Sequence, residues 1–248
     1  MKHKGLGFAA AVVTLLLIWQ AGSLALDKPF LPTPWVSFKA LFSVLADGSV
    51  WADLAVSAFR IVTSLLISLL VGVPLGLWTG VNKIADKLFS PMLYLLYPLP
   101  KVVFLPIIVV LLGLGNLPKI VLISLVIVFQ IMVTTRDSAK SIPNASLLSI
   151  QSLNADKKQI YRHLILPYCL PSVYSALRIS IGIAVAILFF AETFASTDGL
   201  GYFIMDSMQR RSYDLMYAGI IAMACLGILL YKMIDWLENI TCRWRKYQ

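Results

Sequence analysis

SLNADKKQIYRHLILPYCLP, residues 152–171, is a charged interruption in a chain otherwise written in apolar residues. Asp156, Lys157, Lys158, Arg162 and His163 fall inside it, between two long hydrophobic blocks. Spacings of three and four put Ile160 and Leu164 on one face, with Lys157 and Tyr161 beside them, which predicts a short helix. Pro167 and Pro171 are expected to end it, because proline has no N–H to donate and restricts the residue before it. Such a helix is either a solvated loop or a handle for a soluble partner. The rest of the chain has to decide between them.

Working outward, 59% of the 248 residues are hydrophobic and 13% are charged. An average soluble domain carries about 25% charged residues. This composition does not coat a water-facing surface, and a mean hydropathy of +0.84 agrees. The net charge of +9 reads as the positive bias of cytoplasmic loops, not as a nucleic-acid footprint. Cys169, Cys225 and Cys242 are an odd set with no pair at metal-ligand spacing, so neither a disulfide framework nor a metal site is expected.

In chain order, the uncharged run over 5–26 is long enough for a first membrane helix. Residues 27–53 form an external loop with a short interfacial helix, where Trp35 and Trp51 suit headgroup depth. A second span covers about 57–81, with Pro74 inside it. Gly72, Gly76 and Gly80 make a small-residue row along it, suited to close helix packing in lipid. Residues 82–87 read as a loop. Pro91, Pro98, Pro100 and Pro106 predict a half-helix, a break near 97–101, and then a full span ending at Gly113 and Gly115. Further spans are expected at about 119–135, 172–193 and 214–236. A loop over 196–213 carries GLGYFI, and a basic tail contains Arg243, Arg245 and Lys246. Most of the 21 Lys and Arg residues fall on one side of this arrangement. The reading is therefore an all-α protein of six transmembrane helices, both termini cytoplasmic, with residues 152–171 on the cytoplasmic side. The domain assignment is one transmembrane domain over 1–248, with core spans over about 57–240 and a cytoplasmic loop over 138–171.

The sequence has no GxxxxGK[ST] loop, no HExxH and no GxSxG. It offers no catalytic residues. Membrane-level polar groups are expensive and tend to line a path or meet a partner. Gln130 and Glu192 are the leading substrate-path candidates, followed by Arg60, Arg178 and Lys101. Glu192 serves equally well as a structural cap.

The loop SLNADKKQIYRHLILPYCLP resembles the cytoplasmic loop of bacterial ABC-importer permeases, whose pattern is EAA, three residues, G, about nine residues, then I-x-LP. LPTPWVSFKALFSVLADG, VGVPLGLWTG, PLPKVVFLPIIVVLLGLG, AETFASTDGLGYFI and YAGIIAMACLGILLYKMIDWLE are similar to the nitrate/sulfonate/taurine branch. Two departures stand out: Leu148-Ser149-Ile150 occupies the EAA positions, and Asn154 the glycine position.

The resemblance implies the ABC type I importer permease fold in the bacterial cytoplasmic (inner) membrane. It implies a homodimer with a second copy, two ABC ATPase subunits holding ATP and magnesium, and an extracytoplasmic solute-binding protein. No nucleic acid and no cofactor in this chain are expected. By the same resemblance, Ala155, Asp156, Lys157, Gln159, Ile160, Tyr161, Arg162, His163, Leu166 and Pro167 couple the permease to its ATPase. An ATP-independent channel or a membrane assembly protein is the alternative.

Overall fold

A computed structural model describes residues 2–194 and 196–244. Arg245 and Lys246 of the expected basic tail lie outside the described residues. Every regular element among the described residues is helical. The described residues fall into two compact units, Met1–Ser57 with Glu192–Cys225, and Ala58–Ala191 with Leu226–Gln248.

In the first unit, α1 (Lys2–Leu26) and α2 (Pro34–Ala46) are joined by a tight return. Trp19 Nε1 donates to the Pro32 carbonyl at 3.0 Å, and Ser23 Oγ to the Leu31 carbonyl at 2.8 Å. Thr33 caps α2 by accepting from the Val36 N–H, and Pro34 sits at the first helical position, where its missing N–H costs nothing. Ser37, Ala40, Leu41 and Val44 form the buried face of α2. Trp35 stays exposed. The first turns of α3 (Trp51–Val81), all of α10 (Leu200–Gln209) and the first half of α11 (Tyr213–Thr241) complete this unit. The expected loop over 196–213 is therefore largely helix.

The second unit holds the rest of α3, then α4 (Lys83–Leu96), a 3-10 turn at Lys101–Phe104, α5 (Leu105–Leu112) and α6 (Asn116–Lys140). It continues through α7 (Asn144–Ser152), α8 (Lys157–Ile160), a π-helical turn at Tyr161–Ile165 and α9 (Leu166–Thr193, to Ala191) to the second half of α11. Here α3 lies directly on α6. A methyl group added at Gly76 would stand 2.7 Å from the Met132 carbonyl and 2.7 Å from Thr135 Cβ. One at Gly80 would stand 2.6 Å from Ala139 Cβ. Small residues allow this approach, and in lipid it is dispersion and hydrogen bonding, not apolar burial, that hold helices together.

The expected loop at 82–87 shrinks to Asn82 alone. Its side chain accepts from the N–H groups of Ile84 and Ala85, so a new helix starts at once. The prolines split residues 88–118 as expected, but the second piece is only Lys101–Leu112. Gly113 and Gly115 end it at positive φ.

Among the described residues, four helices are long and apolar enough to cross a membrane: Trp51–Val81, Asn116–Lys140, Lys157–Thr193 and Tyr213–Thr241. Pro34–Ala46, Lys101–Leu112 and the Ala10–Leu26 part of α1 are shorter apolar stretches, so four of the six expected spans stand out by length and composition. Leu70, Val110 and Leu111 are among many large apolar side chains left exposed. That surface matches lipid or partner contact, not water.

Candidate functional site

The prolines do not end the loop helix. Lys157–Thr193 is one helical run, because the turn at Tyr161–Ile165 widens. The Leu166 N–H bonds the Tyr161 carbonyl, five residues back, and Pro167 and Pro171 follow inside α9. A π turn changes which N–H groups are needed, so a missing proline N–H need not break the helix. Ser175 Oγ donates to the Pro171 carbonyl at 3.0 Å.

Upstream, α7 turns into α8 through Asn154, whose φ is +56°. Asparagine is among the few side-chain-bearing residues that enter the left-handed region readily. The position where the resembled pattern has glycine thus keeps the conformation that glycine would favour. Asp156 and Gln159 form a capping box: the Gln159 N–H donates to Asp156 Oδ1 at 2.6 Å, and the Asp156 N–H to Gln159 Oε1 at 2.8 Å.

Ile160, Tyr161 and Leu164 pack inward on a buried cluster of Leu77, Ala139, Ile142, Ile165 and Cys169. They anchor the loop. Lys157, Lys158, Arg162 and His163 are exposed, as is Leu166, while Ala155 and Pro167 are half-buried. Leu148 and Leu153, not counted among the coupling residues in the sequence, are 65% and 80% exposed. Leu148 lies in α7 and Leu153 is the residue that ends it. A cleft of about 540 Å3 beside α8 is lined by Trp78, Lys83, Ile84, Lys157 and Tyr161.

A charged knot stands beside this surface. Asp86 accepts from Lys140 Nζ at 2.7 Å, Arg136 Nε at 2.6 Å and Ser90 Oγ at 2.8 Å. The Lys140 hydrogen bond chiefly, then Ser90 and Arg136, hold the Asp86 carboxyl down to about 2 against the opposing effect of burial.

The five substrate-path candidates separate. Glu192 is fully buried in the first unit. It accepts from Ser57 Oγ at 2.8 Å and from the Gly201 N–H at 2.8 Å. The Leu200 N–H donates to Ser57 Oγ, and the Gly199 N–H to Asp53 Oδ1. These groups together cap the start of α10, where negative charge is favoured.

Arg60 is fully buried and donates to Asn116 Oδ1 at 2.8 Å. Arg178 pairs with Asp235 at 2.9 Å and with Glu238, tying α9 to α11. Gln130 and Lys101 line a cavity together. That space, about 400 Å3, is walled by Tyr97, Leu99, Phe129 and Ile187 as well. The Tyr97 hydroxyl donates to Gln130 Oε1 at 2.8 Å. Among the described residues, no cluster of His, Cys, Asp or Glu suits a metal ion.

The family described as binding-protein-dependent transport system inner membrane component matches residues 72–241. The chain belongs to this family. The permease is 31% identical to the taurine transport system permease protein TauC of Escherichia coli, over 98% of this chain and 90% of that one. It is 28% identical to the formylaminopyrimidine transport permease protein ThiX of Halalkalibacterium halodurans, over 94% of each. Its fold is that of a chain of the MetNI methionine ABC transporter in an inward-facing form, with TM-score 0.64, 16% identity, and coverage of 78% of this chain and 98% of that one. The protein is thus an all-α inner-membrane transport component of ABC type, not a catalyst of bond chemistry.

Proposed function

We propose that this permease forms the translocation path of an ATP-driven importer, works as a homodimer with two ATPase subunits, and receives solute from an extracytoplasmic binding protein. ATP and magnesium belong to the ATPase subunits. Both termini and the α7–α8 surface face the cytoplasm. The observation that carries the reading is that surface: exposed Leu148 and Leu153 flanked by Lys157, Lys158, Arg162 and His163, on a loop anchored from within by Ile160 and Tyr161. An apolar patch with a basic rim is a form that docks in a partner's groove. ATP-driven closure of the ATPase pair moves this helix, and the membrane halves rock between two access states.

The test replaces Leu153 with Asp in the full chain co-expressed with its ATPase. The expected result is loss of ATPase co-purification with unchanged membrane insertion. A complex recovered in full, or solute uptake by vesicles without ATP, would refute coupling through this surface and favour an ATP-independent channel.

A further inference from the structure

The cleft beside α8 lies where two long apolar helices end. Trp51–Val81 finishes at it, and the helical run Lys157–Thr193 starts from it. Both are long and apolar enough to cross a bilayer, so their shared end marks headgroup depth, whichever leaflet that is. Trp78 lines the cleft there, exposed, with its ring edge-on to Phe89 at 5.4 Å. An indole at the end of a membrane helix suits the headgroup layer.

Two ammonium groups reach this space from different helices. Lys83 opens α4 and is set there by the Asn82 cap. Lys157 opens α8, which Ile160 and Tyr161 hold on the cluster containing Leu77. Among the described residues no carboxylate lines the cleft, and neither lysine enters an ion pair. Arg136 and Lys140, by contrast, are matched by Asp86 and Asp137. The cleft, at about 540 Å3, therefore carries uncompensated positive charge.

An apolar stripe leads away from it. Ile84 lines the cleft and is 82% exposed. Leu88, Met92 and Leu95 follow it along α4 at steps of four, four and three, all exposed, which keeps them on one face. From Ile84 to Leu95 the stripe runs about 16 Å at 1.5 Å per residue, close to one leaflet of a hydrocarbon core about 30 Å thick.

We propose that this cleft binds the head group of an anionic phospholipid, its phosphate held between Lys83 and Lys157 and an acyl chain laid on the Ile84–Leu95 stripe. Charge complementarity selects the head group, and the stripe separates a lipid from a soluble phosphate ester. The inference needs residence in a membrane and does not depend on the importer reading.

Native mass spectrometry of the full-length, detergent-purified chain measures affinity for the first bound lipid. The probes are phosphatidylglycerol and phosphatidylcholine with the same acyl chains. Each lysine near the head group should contribute about fivefold, so phosphatidylglycerol should bind about 25-fold more tightly. Lys83→Gln should cut that preference about fivefold, and Lys83→Arg should keep it. Lys39→Gln, which removes an exposed charge on α2, should leave it unchanged. Glycerol 3-phosphate at millimolar concentration should not displace the lipid.

Equal binding of the two lipids, or an equal loss in Lys83→Gln and Lys39→Gln, overturns the site. Displacement by glycerol 3-phosphate makes a soluble phosphate the ligand and overturns the lipid assignment. A full lipid preference in Lys83→Gln together with lost ATPase co-purification makes the cleft a protein contact and overturns it as well. The Leu153→Asp result is read on the ATPase and this one on lipid, so either reading can fail alone.

Discussion

Replacing Gly76 with alanine tests how closely α3 lies on α6. The added methyl carbon would stand 2.7 Å from the Met132 carbonyl oxygen, 2.7 Å from Thr135 Cβ and 3.2 Å from the Arg136 nitrogen. Two of these three atoms are backbone, so no rotamer change relieves the contact. Bringing the closest pair to ordinary contact near 3.4 Å opens the interface by about 0.7 Å, enough to forfeit a quarter to a half of each dispersion contact in that register. Overpacking of this kind costs about 1–3 kcal/mol. Alanine returns up to about 1 kcal/mol through its better helix propensity.

The net expectation for Gly76→Ala is a loss of about 1–2 kcal/mol, and Gly80→Ala should behave alike. Gly182→Ala in α9 is the control, since nothing lies within 4 Å of the added carbon. Thermal unfolding of the detergent-purified chain reads the difference, at about 2–4 °C per kcal/mol for a chain of this size. A Gly76→Ala chain that melts at or above Gly182→Ala would refute the close approach of the two helices.

Three further outcomes follow from the site geometry. Asn154→Gly should leave stability nearly unchanged, whereas Asn154→Val should lose about 1–2 kcal/mol at φ +56°, measured by the same melt. Asp86 has a lowered folded-state value of about 2 against 3.8, so its stabilisation is present above pH 4 and fades as pH falls toward 2. Solvent screening leaves a contribution of about 1–2 kcal/mol, and Asp86→Asn should flatten the acid limb of a stability-versus-pH curve over that interval. Glu192→Ala should strip acceptors from Ser57 Oγ and the Gly201 N–H, at about 1–3 kcal/mol for each buried donor left unmet. Hydrogen exchange at the first turn of α10 should rise in that variant, and an unchanged exchange rate there would count against the cap.

The sequence made the long apolar helices legible because lipid burial leaves a signal in every residue. Gly72, Gly76 and Gly80 were legible too, since their spacing alone places them on one face. Much of the candidate site was not. Glu192 reads as a buried ionisable group, but its partners Ser57 and Gly201 lie 135 and 9 residues away, and nothing local identifies them. Tyr161 and Ile160 share a face that periodicity detects, yet periodicity does not say whether that face meets the chain's own core or a partner. Asn154 looked like a departure at the level of letters. Its backbone angle makes it a conformational equivalent. Pro167 looked like a stop because the helix rule assumes an acceptor four residues back, and the turn before it uses five.

That five-residue spacing sets a rotational phase. One residue in an α-helix corresponds to about 100° of rotation and about 1.5 Å of rise. The extra residue held in the Tyr161–Ile165 turn therefore sets the azimuth at which Lys157 and Lys158 point relative to α9. Returning the turn to α geometry would swing the basic rim through roughly that angle and carry Ile160 off the cluster it packs on.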